Sequence, residues 1–270
     1  MKYVYPFIRQ YLHSQAGILL GPEKDYLIES RLHGLLKKHS LKDLEQLVCV
    51  LESTPEGDIA AGVISSLTTH ETSWFRDQRP FDRLRTEVLP QLRQQQRRQI
   101  SVWSAACSTG QEIYSIAMLL RDEGMYSPMW QVSLYASDIC KTALAQAERG
   151  VYNHFEIERG LAQTHRQRYF EMTPAGWRIS SAVRQSVRFE AVNLTRLPDS
   201  PERFDIIFCR NVLIYFDPNT QRKVLQNLHD KLVPGGFLFL GAAESTAGLC
   251  DGFQYVGTGS GLYVRSKSLG

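Results

Sequence analysis

The sequence predicts an α/β protein: a Rossmann-like, mostly parallel sheet with helices on both faces, an all-α domain ahead of it, and a small antiparallel β insertion. Three observations carry this prediction. From residue 100 to about 265, short apolar runs alternate with amphipathic helical stretches, the signature of strands joined by crossover helices. Residues 1 to about 66 show repeated helical periodicity and no convincing strand. Between about 169 and 191 the alternation fails and strand-like residues surround a Thr173-Pro-Ala-Gly176 turn. The domains are therefore expected at 1–76, helical with a linker, and at 77–270, with the insertion at about 169–191.

Composition narrows the function classes. A chain of 270 residues accommodates one large domain, or one domain plus a smaller one. A net charge of +3, from 31 basic and 28 acidic residues, gives no argument for nucleic acid. No apolar run approaches the ~20 residues of a membrane span, and the polar Arg9, Gln10 and His13 argue against a signal peptide. The five cysteines are scattered without a CxxC pair, which fits a reducing cytoplasm and no metal site.

In the helical region, Val4, Phe7, Ile8, Tyr11 and Leu12 form one apolar stripe, and Leu27, Ile28, Leu32, Leu35 and Leu36 form the next. The second helix also presents Lys24, Arg31, His33, Lys37 and Lys38. That face fits either a solvated surface with cations near the helix C-terminus or a docking surface for an acidic partner. A third helix is expected from Leu41 and a fourth through Ile59, Val63, Ile64 and Leu67. The stretch Thr68 to Asp77, polar and then aromatic around Trp74, Phe75 and Arg76, fits a helix cap packing onto the next domain or a cover over a ligand. Phe81, Leu84, Val88 and Leu92 predict an amphipathic helix leading to the first strand.

That strand, from Ile100, is followed by small residues up to Gly110 and by a helix through Ile113, Ile116, Ala117 and Leu120. Taken alone it fits an ordinary βα turn as well as a ligand loop, because it lacks two of the three glycines of the dinucleotide fingerprint. The next strand, Val132 to Asp138, ends in an acid. A helix covers Lys141 to Arg149, another covers Glu158 to Phe170, and Val187 to Asn193 returns to the main sheet. Phe204 to Asn211 reads as a buried strand, Thr220 to Leu232 as a helix, Pro234-Gly-Gly as a turn, and Phe237 to Gly241 as a strand. A hairpin from Phe253 to Arg265, turning through Thr258 to Gly261, closes the chain.

Polar residues gather where these strands end. Asp138 can accept hydrogen bonds from both hydroxyls of a ribose, and Asn193, Leu194, Arg210, Asn211 and Tyr215 follow later strands. Glu112, just behind Gly110, would repel a pyrophosphate and suits a cationic ligand such as S-adenosylmethionine, with its sulfonium and ammonium.

The stretches Trp103-Ser-Ala-Ala-Cys-Ser-Thr-Gly-Gln-Glu-Ile-Tyr-Ser-Ile-Ala-Met118 and Phe204-Asp-Ile-Ile-Phe-Cys-Arg-Asn-Val-Leu-Ile-Tyr-Phe-Asp217 resemble the two signature stretches of the chemotaxis receptor methyltransferases (CheR type). Thr69 to Arg76 and the helical N-terminus match too. Departures are few: Ala106 for Gly, Gln111 for Glu, Ile113 for Pro and His70 for Asn. The resemblance implies a class I S-adenosylmethionine-dependent methyltransferase fold and transfer of methyl to glutamate side chains of chemoreceptors, forming methyl esters for sensory adaptation. It places His70, Thr72 and Arg76 on interdomain cofactor contacts, Glu112 on the methionine ammonium and Asp138 on the ribose. Asn193 and Leu194 fall beside the adenine, and Arg210, Asn211 and Tyr215 near the reacting end, with Arg76 and Tyr215 as catalytic candidates. It turns Arg31, Lys37 and Lys38 into a receptor-docking face. It also implies a cytoplasmic enzyme, expected as a monomer, without metal. The short Thr173–Gly176 turn argues against binding of a receptor's tethering pentapeptide. An idle cofactor-binding adaptor and a methyltransferase of another carboxylate are the competing functions.

Overall fold

A computed structural model describes residues 3–95, 98–257 and 261–266. Four helices come first: α1 (Val4–Ala16), α2 (Asp25–Lys38), α3 (Leu44–Ser53) and α4 (Asp58–Leu67). Their apolar stripes meet in one core, in which Ile8, Leu12, Ile28, Leu32, Leu47 and Val63 have no exposed surface. Asp43 caps α3 by accepting from the Gln46 N–H at 2.9 Å. Gly17 ends α1 in the left-handed conformation at φ 73°, where an L side chain is strained.

The expected helix after the linker covers residues 79–94, but not as one regular coil. It runs as α5 (Arg79–Arg83), a π-turn at Leu84–Val88, and α6 (Leu89–Gln94). Pro90 explains the irregularity, since it has no N–H to return to the preceding turn.

The main sheet has seven strands in the order β6-β2-β1-β7-β8-β10-β9. These are β1 (Gln99–Ala105), β2 (Gln131–Asp138), β6 (Val187–Ala191), β7 (Phe204–Cys209), β8 (Leu232–Leu240), β9 (Phe253–Tyr255) and β10 (Leu262–Arg265). The first five run parallel, and β10 is antiparallel to both neighbours. Of the predicted turn from Thr258 to Gly261, residues 258–260 lie outside the described residues. Successive residues face opposite layers. Val102, Ala136, Phe208 and Phe239 pack under α7 (Gln111–Asp122) and the 79–94 segment, whereas Trp103, Tyr135, Ile207 and Leu238 pack under α12 (Pro218–Lys231). The sequence order reverses between β1 and β7, and such a switch point opens a crevice at the carboxyl ends of the strands.

Three sequence expectations need correction. Residues 232–240 form one strand through Pro234-Gly-Gly: Phe204 pairs with Leu232 but Ile206 with Phe237, so the turn residues bulge out of the strand without ending it. The helix expected over 158–170 is broken into α9 (His154–Glu158) and α10 (Gln163–Tyr169). Gly160 lies in the break at φ 93°, and a Cβ there would come within 2.1 Å of the Trp74 carbonyl oxygen. The insertion, expected at 169–191, is a three-stranded sheet of β3 (Val151–Tyr152), β5 (Gly176–Ile179) and β4 (Phe170–Thr173). It borrows β3, which follows α8 (Lys141–Arg149), from upstream. Residues 187–191 pair in parallel with β2 in the main sheet, as the reading of Val187 to Asn193 expects, so the insertion ends before them.

Trp74 fastens the linker to this small sheet. It is 1% exposed, stands edge-on to Tyr152 and Phe170 at 4.9 and 5.1 Å between centroids, and donates from Nε1 to the Glu156 carbonyl at 3.0 Å. Trp74→Ala should cost about 3–5 kcal/mol of stability, measured as a drop in the urea midpoint; a loss below 1 kcal/mol would show that the linker does not depend on it.

Candidate cofactor and methyl-transfer site

A cavity of about 1010 Å³, counted to its open mouth, lies over the switch point between the helical domain and the sheet. His70, Thr72, Arg76, Glu112, Asp138, Asn193, Leu194, Arg210, Asn211 and Tyr215 all line it. These ten residues come from the linker, the first turn of α7, the end of β2 and the segments after β6 and β7, separated by as much as 145 positions and joined only by the fold.

The loop after β1 is held open in a shape that favours glycine. Ala106, Ser108 and Gly110 have φ of 62°, 52° and 95°. At Gly110 a Cβ would lie 2.9 Å from that of Ala147, so the helix α8 packs where a side chain would stand. Asp138 secures this loop. Its Oδ2 accepts from the Ser108 N–H at 2.8 Å and its Oδ1 from the Cys140 N–H at 2.9 Å. Burial raises the carboxyl's pKa above the usual carboxylate value, against the pull of those two N–H groups.

Glu112, in the first turn of α7, reaches back over the sheet edge. Its Oε1 accepts from Ser104 Oγ at 2.8 Å and its Oε2 from Arg210 Nη1 at 3.1 Å. Arg210, with a side chain only 1% exposed, also donates from Nη2 to the Arg76 carbonyl at 2.9 Å and to Asp77 Oδ2 at 2.6 Å. Arg210 thus ties the end of β7 to the start of α7 and to the linker. Arg76 itself is half-buried, and its Nη1 donates to the Glu71 carbonyl at 2.9 Å. The phenol of Tyr215 makes no hydrogen bond to the described residues.

Two predicted residues have tasks beyond lining the wall. Asn193 Nδ2 donates to the Gln15 carbonyl at 2.7 Å, and its Oδ1 accepts from the N–H and hydroxyl of Thr195. It therefore holds the helical domain against the sheet. Beside it, Leu19 N–H donates to the Tyr215 carbonyl at 2.8 Å and Ile18 pairs with Phe216 in an isolated bridge. His70 is held by Thr68 Oγ1 and the Ser65 carbonyl. A hydrogen bond with Cys140 and its charge raise the His70 pKa, with burial opposing. Burial pushes the Cys140 thiol up, but His70, Ser65, Thr142 and the Ala143 N–H together bring it down to about 6. The described residues contain no cluster fit for a metal ion.

Sequence reasoning missed Ile18, Asp77 and Ser108. Ile18 carries no chemistry and reaches the cavity only because α1 docks there. Asp77 read as the end of an aromatic stretch, and its partner lies 133 positions away. Of the docking candidates, Lys37 and Lys38 are exposed, whereas Arg31 is half-buried and donates to the Leu67 and Thr68 carbonyls at the end of α4.

The donor set fits a nucleoside carrying positive charge. A buried carboxylate stands at the end of the second parallel strand, a second carboxylate lies nearby, and Ile18, Leu194 and Phe216 supply apolar wall. A pyrophosphate would meet both carboxylates. The fold and this cavity define a class I S-adenosylmethionine-dependent methyltransferase.

The comparisons with known proteins agree. Residues 5–68 match the all-alpha domain of the CheR methyltransferases and residues 70–261 match their SAM binding domain. The chain is 40% identical over 265 residues to chemotaxis protein methyltransferase Cher2 of Pseudomonas putida, covering 96% of both chains. It is 39% identical over 269 residues to chemotaxis protein methyltransferase 1 of Pseudomonas aeruginosa, covering 97% of both. It is 36% identical over 270 residues to the chemotaxis protein methyltransferase of Escherichia coli, covering 96% of this chain and 90% of the relative. The chain belongs to the CheR methyltransferase family, the S-adenosylmethionine-dependent methyltransferases of chemotaxis.

Arg210→Ala strands Glu112 without its counter-ion in a largely dry setting, with an expected loss of about 3–5 kcal/mol. Chemical denaturation measures it, and a loss under 1 kcal/mol would refute the lock.

Proposed function

We propose that this protein methylates glutamate side chains on the cytoplasmic helices of chemoreceptors, yielding γ-glutamyl methyl esters. The observation that supports this reading most is the convergence on one cavity of ten residues that the sequence scatters along the chain. S-adenosylmethionine, when bound, supplies an electrophilic methyl group on a sulfonium. Asp138 takes the ribose hydroxyls, with its free lone pairs beyond the two N–H bonds it already accepts. Glu112, neutralised in part by Arg210, keeps negative charge beside the amino-acid end, and Leu194 offers its apolar surface to the adenine.

The acceptor needs no general base. A glutamate of pKa ~4.3 is already a carboxylate at pH 7, and His70, the histidine on the cavity wall, is committed to the end of α4. What this chain supplies is alignment and exclusion of water. Arg76 has one N–H spent on Glu71 and others left to orient the incoming carboxylate; Tyr215 adds an unspent hydroxyl. One clamp on the carboxylate orients it, while a bidentate one would quench its nucleophilicity. The docking surface is the exposed Lys37 and Lys38 at the end of α2, facing a glutamate-rich helix.

Incubation with methyl-labelled S-adenosylmethionine and receptor membranes tests the reaction: the label should appear on the receptor and be released by mild base. Base-stable label, or none, sinks the assignment. Arg76→Ala should lower kcat by about 10²-fold, more than His70→Ala; normal turnover by purified Arg76→Ala removes Arg76 from the mechanism. Reversing Lys37 and Lys38 together to Glu should raise the receptor KM about fivefold, the effect of roughly 1 kcal/mol, and leave calorimetric affinity for S-adenosylhomocysteine unchanged. Equal receptor kinetics would refute the docking face.

A further inference from the structure

Glu244, in the loop after β8, is a buried carboxylate that neither the sequence reading nor the cavity lining accounts for. It is 8% exposed and does not line the cofactor cavity. Its Oε2 accepts from the Gly241 N–H at 2.6 Å and the Asn211 N–H at 2.9 Å. Its Oε1 accepts from the Val212 N–H at 2.8 Å and the Leu213 N–H at 2.7 Å. No ion pair to Glu244 is recorded among the described residues. Its charge is met by four backbone N–H groups, three of them consecutive on the loop that runs from Arg210 to Tyr215.

That loop needs holding. Asn211 has φ 58°, in the left-handed region that glycine adopts freely and that asparagine tolerates better than most side chains. Leu213 opens a single 3-10 turn ending at Tyr215, too short to satisfy its own leading N–H groups. Gly241 makes room for the arrangement. A Cβ there would lie 2.6 Å from Glu244 Oε2 and 3.0 Å from the Asn211 nitrogens, so any side chain would push the carboxylate off its donors. The Glu244 N–H closes the same turn onto the Gly241 carbonyl at 3.0 Å.

We propose that Glu244 is a positioning residue for methyl transfer: it holds the 210–215 loop in the shape that sets Asn211, Val212 and Tyr215 into the cavity wall. It acts through the backbone of that loop and touches no substrate. The proposal rests on the reading of this cavity as the methyl-transfer site. Only a carboxylate serves, because it offers acceptors on both oxygens. Glutamine keeps the shape but points an amide NH₂ at N–H donors.

The test compares Glu244→Gln and Gly241→Ala with the unmodified enzyme, well below each protein's melting temperature and per folded molecule. Gly241→Ala leaves the charge in the chain and displaces it. Both should lose about 10²-fold in kcat, the scale of a misplaced reacting group, with receptor KM nearly unchanged. Both should also show faster hydrogen exchange at Asn211 to Leu213. A merely structural role would lower the melting temperature and leave turnover per folded molecule intact; that outcome overturns the proposal, as does unchanged exchange at the three amides. If neither variant folds, the unmodified protein decides: slow exchange at 211–213 supports the hold of Glu244 on those amides and unprotected exchange overturns it. Methylation by the unmodified enzyme and Glu244→Gln alike rejects only the role of Glu244. Absence of methylation by the unmodified enzyme rejects the cavity's assignment and the proposal together.

Discussion

The site depends on one buried guanidinium. Arg210 leaves the carboxyl end of β7 and takes Glu112 from the first turn of α7, the Arg76 carbonyl, and Asp77 from the linker. Three segments that share no secondary structure are therefore fixed to one planar fork. A lysine could not do this, since it has neither the spread nor the number of donors. The cavity inherits its shape from that fork. The linker borders the cavity because Asp77 is anchored on one side, while Trp74 is anchored in the small sheet on the other.

Backbone strain is concentrated where these anchors act. Among the described residues, seven non-glycine positions have positive φ, and Phe75, Asp77, Gln78, Ala106, Ser108 and Asn211 belong to loops of the site. Such conformations persist when the surroundings over-determine them. Each loop here has its own restraint: Phe75 N–H on Ser115 Oγ at 3.0 Å, Ser108 N–H on Asp138, and Asn211 N–H on Glu244. The regular elements are relaxed and the connecting loops are not, so stability in the sheet supports geometry at its edge.

Much of this was legible in the sequence, and the failures have a common cause. Periodicity reports which face of an element is buried, and it was sufficient for the helical domain and for the parallel strands other than the start of β8. It carries no information about contacts between segments. The break at Gly160 exists because Trp74 occupies the space, and β3 joins the small sheet because β5 presents an open edge; neither reason lies near those residues in sequence. Arg31 looked like a surface cation and instead satisfies carbonyls at the end of α4. Glu244 belongs to no recognisable spacing, since three of its four donors are backbone groups more than thirty positions upstream. Asp138 and Glu112 were legible because an acid at a strand end or behind a turn glycine is unusual enough to need a reason.

The bridge between Ile18 and Phe216, with the Leu19 and Asn193 bonds beside it, makes the helical domain part of the cavity wall. The boundary between the domains is thus no place to cut and paste. A hybrid of two relatives joined in the linker would bring together a short strand-like segment and a cavity rim that had diverged separately. The chain has two domains by architecture, but residues 13–19 and 193–217 meet across the boundary, so a substitution on either side bears on the same cavity rim.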